Sequence, residues 1–270
     1  MLIDTHCHLD AAEFNADRND IALLALQQGV SNIVIPAVAR NNFDTVIQVC
    51  QQHKHCVYAL GIHPMYVDDA TLDDLETLKS YIVENNPVAI GEIGLDYFVT
   101  NYKNNPDHIE KQIHFFTEQL KIAKQHNLPV ILHVRNAIDD ILKYLRRYQL
   151  NGGIAHAFNG SFQQAEQLIA LGFKLGFGGA MTYSRALKIR ALASKLPLES
   201  IVLETDSPDI PPAWLGAEGR NTPLELSKIA QVLADLRQVN VAQVLDITSA
   251  NALKVLPKLA DLCTPPQVLL

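Results

Sequence analysis

Eight short, nearly continuous apolar runs, each followed by a longer stretch of helical pattern, leave this chain few folds to choose from. The runs cover residues 2–8, 31–37, 56–61, 87–92, 128–133, 153–156, 173–176 and 200–204. They do not alternate polar with apolar, so they read as parallel strands covered on both faces. Parallel neighbours are joined by crossovers of a dozen or more residues, usually helices. The intervening stretches supply them. Residues 20–26 run as a helix toward Gly29, a helix stop. Thr71 and Asp74 form an N-cap signature ahead of a stripe of Leu75, Leu78 and Ile82. The stretch 109–126 repeats Ile113, Phe116, Leu120 and Ala123 on one face. Eight such units predict a (β/α)8 TIM barrel forming a single domain over 1–270, with 264–270 as an irregular tail. A doubly wound open sheet is the alternative, because the pattern alone does not show closure.

Composition narrows the setting. Hydrophobic residues make up 48% and charged residues 19% of the 270, enough for a sizeable core. No apolar run approaches the ~18–20 residues of a membrane span, and the start lacks the basic flank of a signal peptide. The four cysteines contain no C-x-x-C pair, so free thiols in a cytoplasmic, reducing setting are expected. The net charge is −7 and the only basic doublet is Arg146-Arg147, on a stretch read as a surface helix. A phosphodiester substrate would therefore be gripped locally, by metal ions and a few cations, and not by a broad basic face. Nothing in the pattern calls for an obligate protein partner.

The polar residues with chemical potential recur where these runs end. His6 and His8, two residues apart on a strand, point the same way about 6.5–7 Å apart. Their neutral nitrogens can share one divalent metal. Glu92 ends the fourth run, His133 the fifth, His156 the sixth, and Asp206 follows the eighth. In a barrel, strand ends converge on one cavity. Mixed imidazole and carboxylate ligands suit Zn²⁺ or Mn²⁺ and also admit Mg²⁺. One metal cannot use six protein ligands and keep an open position, whereas two can. Glu92, between Gly91 and Gly94, is the expected bridge. Each residue also has a plainer reading: His133 and His156 as packed histidines, Glu92 as a lysine partner, Asp206 as a turn residue before Ser207-Pro208. Their joint occurrence at successive strand ends favours the metal site. His63, before Pro64, reads as shaping a loop. His53, His55, His108, His114 and His126 read as surface residues.

The segments Asp4-Thr5-His6-Cys7-His8-Leu9-Asp10, Gly61-Ile62-His63-Pro64, Gly91-Glu92-Ile93-Gly94-Leu95-Asp96-Tyr97, Leu128-Pro129-Val130-Ile131-Leu132-His133 and Leu203-Glu204-Thr205-Asp206-Ser207-Pro208 resemble those of the TatD family of metal-dependent hydrolases, in the amidohydrolase superfamily. The resemblance runs from residue 2 to about Leu253. It implies a (β/α)8 barrel, one or two divalent metals (Zn, Mg or Mn) and deoxyribonuclease activity. On that resemblance His6, His8, Glu92 and Asp206 hold one metal, and Glu92, His133 and His156 the other. The sequence departs from the family's usual Ser and Asp beside the strand-five histidine, where Val134 and Asn136 stand, and has Ala157 after His156. The Arg220-Asn221-Thr222-Pro223 segment matches an Arg-Asn-x-Pro pattern. The expected function is exonucleolytic hydrolysis of DNA, with RNA left open, by metal-activated water. Asp206 would be the general base. Arg135 and Arg220 would contact phosphate, unless they serve structural salt bridges. The alternative is an amidohydrolase-type enzyme acting on a small-molecule amide, lactone or phosphoester. A non-enzymatic metal-binding protein is a third reading, which the intact ligand set disfavours.

Overall fold

The computed structural model describes residues 1–99 and 105–262. Eight strands lie in one sheet in sequence order: β1 Leu2–Asp4, β2 Val30–Pro36, β3 Cys56–Leu60, β4 Ala89–Asp96, β5 Val130–Arg135, β6 Gly153–Ala155, β7 Phe173–Phe177 and β8 Ile201–Leu203. Every neighbouring pair is parallel. Backbone bonds across the remaining seam join the ends into a barrel. Thr5 N–H donates to Leu203 O at 3.1 Å, Asp206 N–H to His6 O at 2.8 Å and His8 N–H to Ser207 O at 2.7 Å. The fold is a (β/α)8 TIM barrel, and the open-sheet alternative falls away.

Helices occupy the intervals: α1 Arg18–Gln27, α2 Phe43–Gln52, α3 Leu72–Asn85, α4 Pro106–Gln125, α5 Ile138–Tyr148, α6 Phe162–Ala170, α7 Leu187–Lys195, α8 Leu226–Arg237, α9 Val241–Val255 and α10 Pro257–Leu262. Local chemistry sets their ends. The Asp74 carboxylate accepts from Thr71 N–H at 2.8 Å, which starts α3. Ser161 and Gln164 cap α6 reciprocally, and Pro106 sits in the first turn of α4. On α5, Ile141, Leu142 and Leu145 are buried while Arg146 and Arg147 face solvent. Among the described residues no helix is long and apolar enough to cross a membrane. The 264–270 tail and Cys263 lie outside the described residues; Cys7, Cys50 and Cys56 are buried free thiols.

Strand periodicity splits the core in two. Ile3, Val34, Val57, Ala59, Ala89, Ile131, Ile154 and Val202 fill the barrel interior with Val255, Leu256 and Leu259 from α9, α10 and the residue between them. The alternate strand residues, such as Leu60, Ile90, Val130 and Leu203, pack under the helices. Side chains two residues apart share a face. Continuing the inward row past Ile131 gives His133 and Arg135, and past Val202 gives Glu204. Past Ala59 it gives Gly61 and His63, and past Ile154 it gives His156.

Three expectations need correction. β1 ends at Asp4, so His6 and His8 lie beyond the strand; there the backbone turns to bond with Ser207 and Asp206 across the seam. His53 is buried, its Nε2 2.9 Å from Asn19 Oδ1. His108 is buried with its Nδ1 2.6 Å from Asp68 and its Nε2 2.8 Å from Gln112. Both histidines plug gaps between elements and are not surface residues.

Candidate metal centre

Glu92 is the hub of the barrel mouth. It is 2% exposed, and its two oxygens face different partners. Oε2 lies 3.1 Å from His6 Nε2 and 3.5 Å from His8 Nε2. Oε1 lies 2.9 Å from both His133 Nδ1 and His156 Nε2, and 3.3 Å from His63 Nε2. Strict alternation from the inward Ala89 would turn Glu92 toward the helices. A register shift between Ile90 and Ile93, in the pairing with β5, turns it inward instead. Gly94 permits that course: its φ is +154°, and a Cβ there would fall 1.9 Å from the His133 carbonyl oxygen.

Asp206 completes the first donor set. Its Oδ1 stands 3.4 Å from His6 Nε2 and 3.7 Å from His8 Nε2. The two imidazoles meet Nε2 to Nε2 at 3.2 Å. Four ligands at 2.0–2.1 Å around a tetrahedral ion stand about 3.3 Å apart. Five of the six separations among these donors run from 3.1 to 3.7 Å and bracket that value. Two imidazole nitrogens at 3.2 Å gain nothing from each other unless one is protonated, whereas a shared cation engages both lone pairs. The donor set therefore fits a divalent metal. Around Glu92 Oε1, His63 and His133 form a second group of donors. His156 reaches both sides: it also groups with His6 and Asp206, and its ring stacks on His6 at 3.9 Å.

A further layer orients these ligands. Asp96 Oδ2 sits 2.9 Å from His133 Nε2 while Oδ1 accepts from Phe98 N–H at 2.8 Å. Glu204 Oε1 accepts from Ala157 N–H at 2.5 Å and lies 3.8 Å from His156 Nδ1. Gly176 leaves room for this carboxylate, since a Cβ there would fall 2.1 Å from Glu204 Oε2. Asp4 accepts from the Thr205 hydroxyl at 2.6 Å and from its N–H at 3.0 Å, clamping β1 to the segment after β8.

Charge is concentrated here. Burial opposes protonation of His8, yet the hydrogen bond and charge of Glu92 lift it to about 9. Burial likewise opposes protonation of His156, but Glu92 and Asp206 lift it to about 10. Burial pushes Glu204 up to about 8 against the pull of His156, and Asp4 up to about 7. Without a metal, protons on His8 and His156 balance the charge of Glu92.

The structure brings His6, His8, Glu92, His133, His156 and Asp206 around one point. Arg135 stands at the rim on the inward row, its guanidinium 3.8 Å over the Phe98 ring. Arg220 is turned aside: it grips Asp17 through two contacts of 3.0 and 2.6 Å, and donates to Glu13 O at 2.9 Å. Sequence reasoning passed over His63, Asp96 and Glu204. His63 does cap its loop, its Nδ1 accepting from Met65 N–H at 3.1 Å, while Nε2 faces Glu92. The row Val57, Ala59, Gly61, His63 was the signal that could have found it.

A profile of the family described as TatD related DNase matches residues 3–257. The chain belongs to the TatD-related DNase family. It is 41% identical over 241 residues to the metal-dependent hydrolase YjjV of Escherichia coli K12, covering 87% of this chain and 90% of that protein. It is 32% identical over 254 residues to the metal-dependent hydrolase YabD of Bacillus subtilis, covering 93% and 97%. The crystal structure of YjjV superposes with a TM-score of 0.87 at 37% identity, over 95% of this chain and 98% of that one. This TatD-family protein is a metal-dependent hydrolase, and its donor groups are of the kind that hold divalent metals.

Proposed function

We propose that this hydrolase cleaves phosphodiester bonds of DNA, removing nucleotides from a strand end. Glu92 supports the reading most directly: one oxygen faces each donor set, as a carboxylate bridging two metals requires. His6, His8, Glu92 and Asp206 would hold one divalent ion, and Glu92, His133 and His156 the other, with His63 beside it. Such ions supply Lewis acidity to a phosphoryl group and acidify a water.

The chain's own groups do the rest. Asp206 Oδ1 faces the histidines, leaving Oδ2 to take the proton of the attacking water. Arg135 presents its guanidinium to the non-bridging oxygens of the phosphate, a planar fork meeting a planar pair. Arg220 would reach phosphate only by exchanging Asp17, so Arg135 is the stronger of the two contacts. Asp96 fixes the ring of His133, and Glu204 stands as a negative charge 3.8 Å from His156 Nδ1. The buried free thiols Cys7, Cys50 and Cys56 support a cytoplasmic setting.

Metal-replete protein with single-stranded DNA labelled at either end tests this. Mononucleotides should appear from one end, vanish with chelator, and fall at least ~10²-fold in Asp206→Asn. Near-normal turnover by metal-loaded Asp206→Asn would remove Asp206 as the base. No cleavage by metal-loaded unaltered protein would turn the reading toward small amides, lactones and phosphoesters.

A further inference from the structure

The mouth of the barrel is electrically lopsided. The segments that connect β5 to α5, β6 to α6 and β7 to α7 contain no exposed carboxylate. Three cations stand along them: Arg135 at the end of β5, Arg185 before α7 and Lys188 in its first turn, all exposed. The acids that follow β5, Asp139 and Asp140 at the start of α5, accept from Gln164 and Tyr97. The connection after β1 carries Asp10, Glu13 and Asp17, and that after β3 carries Asp68 and Asp69. In a chain of net charge −7, a cation-bearing sector free of exposed carboxylates in its loops is a part of the mouth that a polyanion can approach.

This sector also holds a cavity of about 130 Å³, walled by Val134 and Phe158 and rimmed by Asn136, Asn159 and Lys188. Among the described residues the side chains of Asn136, Asn159 and Lys188 make no hydrogen bond. The cavity is well below the ~300–1,000 Å³ of a drug-sized pocket and suits one flat heterocycle. Its apolar walls offer stacking and its two amides offer donors and acceptors. It adjoins the catalytic face directly, since Val134 and Asn136 flank Arg135 and Asn159 follows His156 by three residues.

The geometry points to the β5–β7 sector as the track that holds a single strand of DNA beside the metal centre. Arg185 and Lys188 sit on phosphates beyond the one Arg135 meets, and the Asn136–Asn159 cavity takes one unstacked base. This rests on the reading of the site as a deoxyribonuclease and adds where the strand lies.

Binding separates the two. The probe is a phosphorothioate-linked eight-nucleotide single strand, followed by fluorescence anisotropy on metal-loaded protein from 50 to 200 mM salt. The track variant is Arg185→Gln/Lys188→Gln. The control is Lys54→Gln/Lys195→Gln, which removes the same charge at the other end of the barrel, with melting curves and metal content checking that both fold. The track variant should bind about tenfold or more weakly, and its salt slope should shrink by about 1.4, two phosphates at ~0.7 each. The control should match unaltered protein. Replacing the bases with abasic sugars should weaken unaltered protein but not Asn136→Leu/Asn159→Leu, in which the cavity is already disabled. Equal binding by the track variant and unaltered protein overturns the track and leaves the nuclease reading to the cleavage assay. No binding by unaltered protein overturns both. Track-dependent binding by a protein that does not cut DNA upholds the track and overturns the nuclease.

Discussion

Replacing Asp96 by Asn changes almost no volume, yet it should disable His133 as a ligand. In the native site Asp96 Oδ1 accepts from Phe98 N–H at 2.8 Å and Oδ2 from His133 Nε2 at 2.9 Å. Asp96 therefore holds a proton on Nε2, so a metal that displaces the proton between Nδ1 and Glu92 meets the Nδ1 lone pair. An asparagine has one acceptor for these two donors. If its oxygen stays with Phe98, its NH2 faces Nε2, and the imidazole must move its proton to Nδ1. That proton then points at Glu92 Oε1, 2.9 Å away, where the lone pair is needed. If the amide flips, two donors confront each other in a buried pocket at a cost of about 1–3 kcal/mol. Metal binding must meet that cost to restore the ligand. At 1.36 kcal/mol per decade this is a loss of about 5- to 150-fold in affinity, in line with the effects of removing a ligand's outer partner. Calorimetry on chelator-stripped protein should show the weakening in the second equivalent of metal. The first, held by His6, His8 and Asp206, should move little. Long-range ¹H–¹⁵N spectra should show His133 switching tautomer. A second equivalent that binds within twofold of unaltered protein would refute both the orienting role of Asp96 and ligation through Nδ1.

Proton release gives a second test. His8 and His156 titrate near 9 and 10 in the metal-free protein, so both carry protons at neutral pH that a metal must displace. Affinity should rise with pH up to about 10, by up to tenfold per unit for each proton displaced, and most steeply below about 9 where both are displaced. Calorimetry at pH 7.5 in buffers of different ionisation enthalpy should report at least two protons released, and none would contradict the assignment. Gly176→Ala places a Cβ 2.1 Å from Glu204 Oε2, so the carboxylate must leave Ala157 N–H. Overpacking of this kind costs ~1–3 kcal/mol and several degrees of melting temperature; an unchanged melting curve would show that Glu204 is free to move.

How much of the site is legible in the sequence follows from which residues obey strand periodicity. His133 and His156 continue the inward rows of Ile131 and Ile154, so apolar runs that end in histidine are enough to place them. His63 obeys the same rule from Val57 through Ala59 and Gly61. Pro64 hides it, because a histidine before proline reads as a turn residue, and here it caps the turn with Nδ1 while Nε2 serves the site. Glu92 breaks the rule, since it lies within the register shift in β4 and faces inward. Its flanking glycines are the visible sign of an irregular backbone, without showing its direction. His6, His8 and Asp206 depend on closure. They lie past β1 and β8, and the bonds between these two segments, from Asp206 N–H to His6 O and from His8 N–H to Ser207 O, set their positions. A period-two count over the sequence does not describe such a seam. His6, His8 and Asp206 are thus brought together by the same hydrogen bonds that close the barrel. Metal held there ties β1 to β8, so weakening the seam at Asp4 and Thr205 should loosen the metal and the fold together.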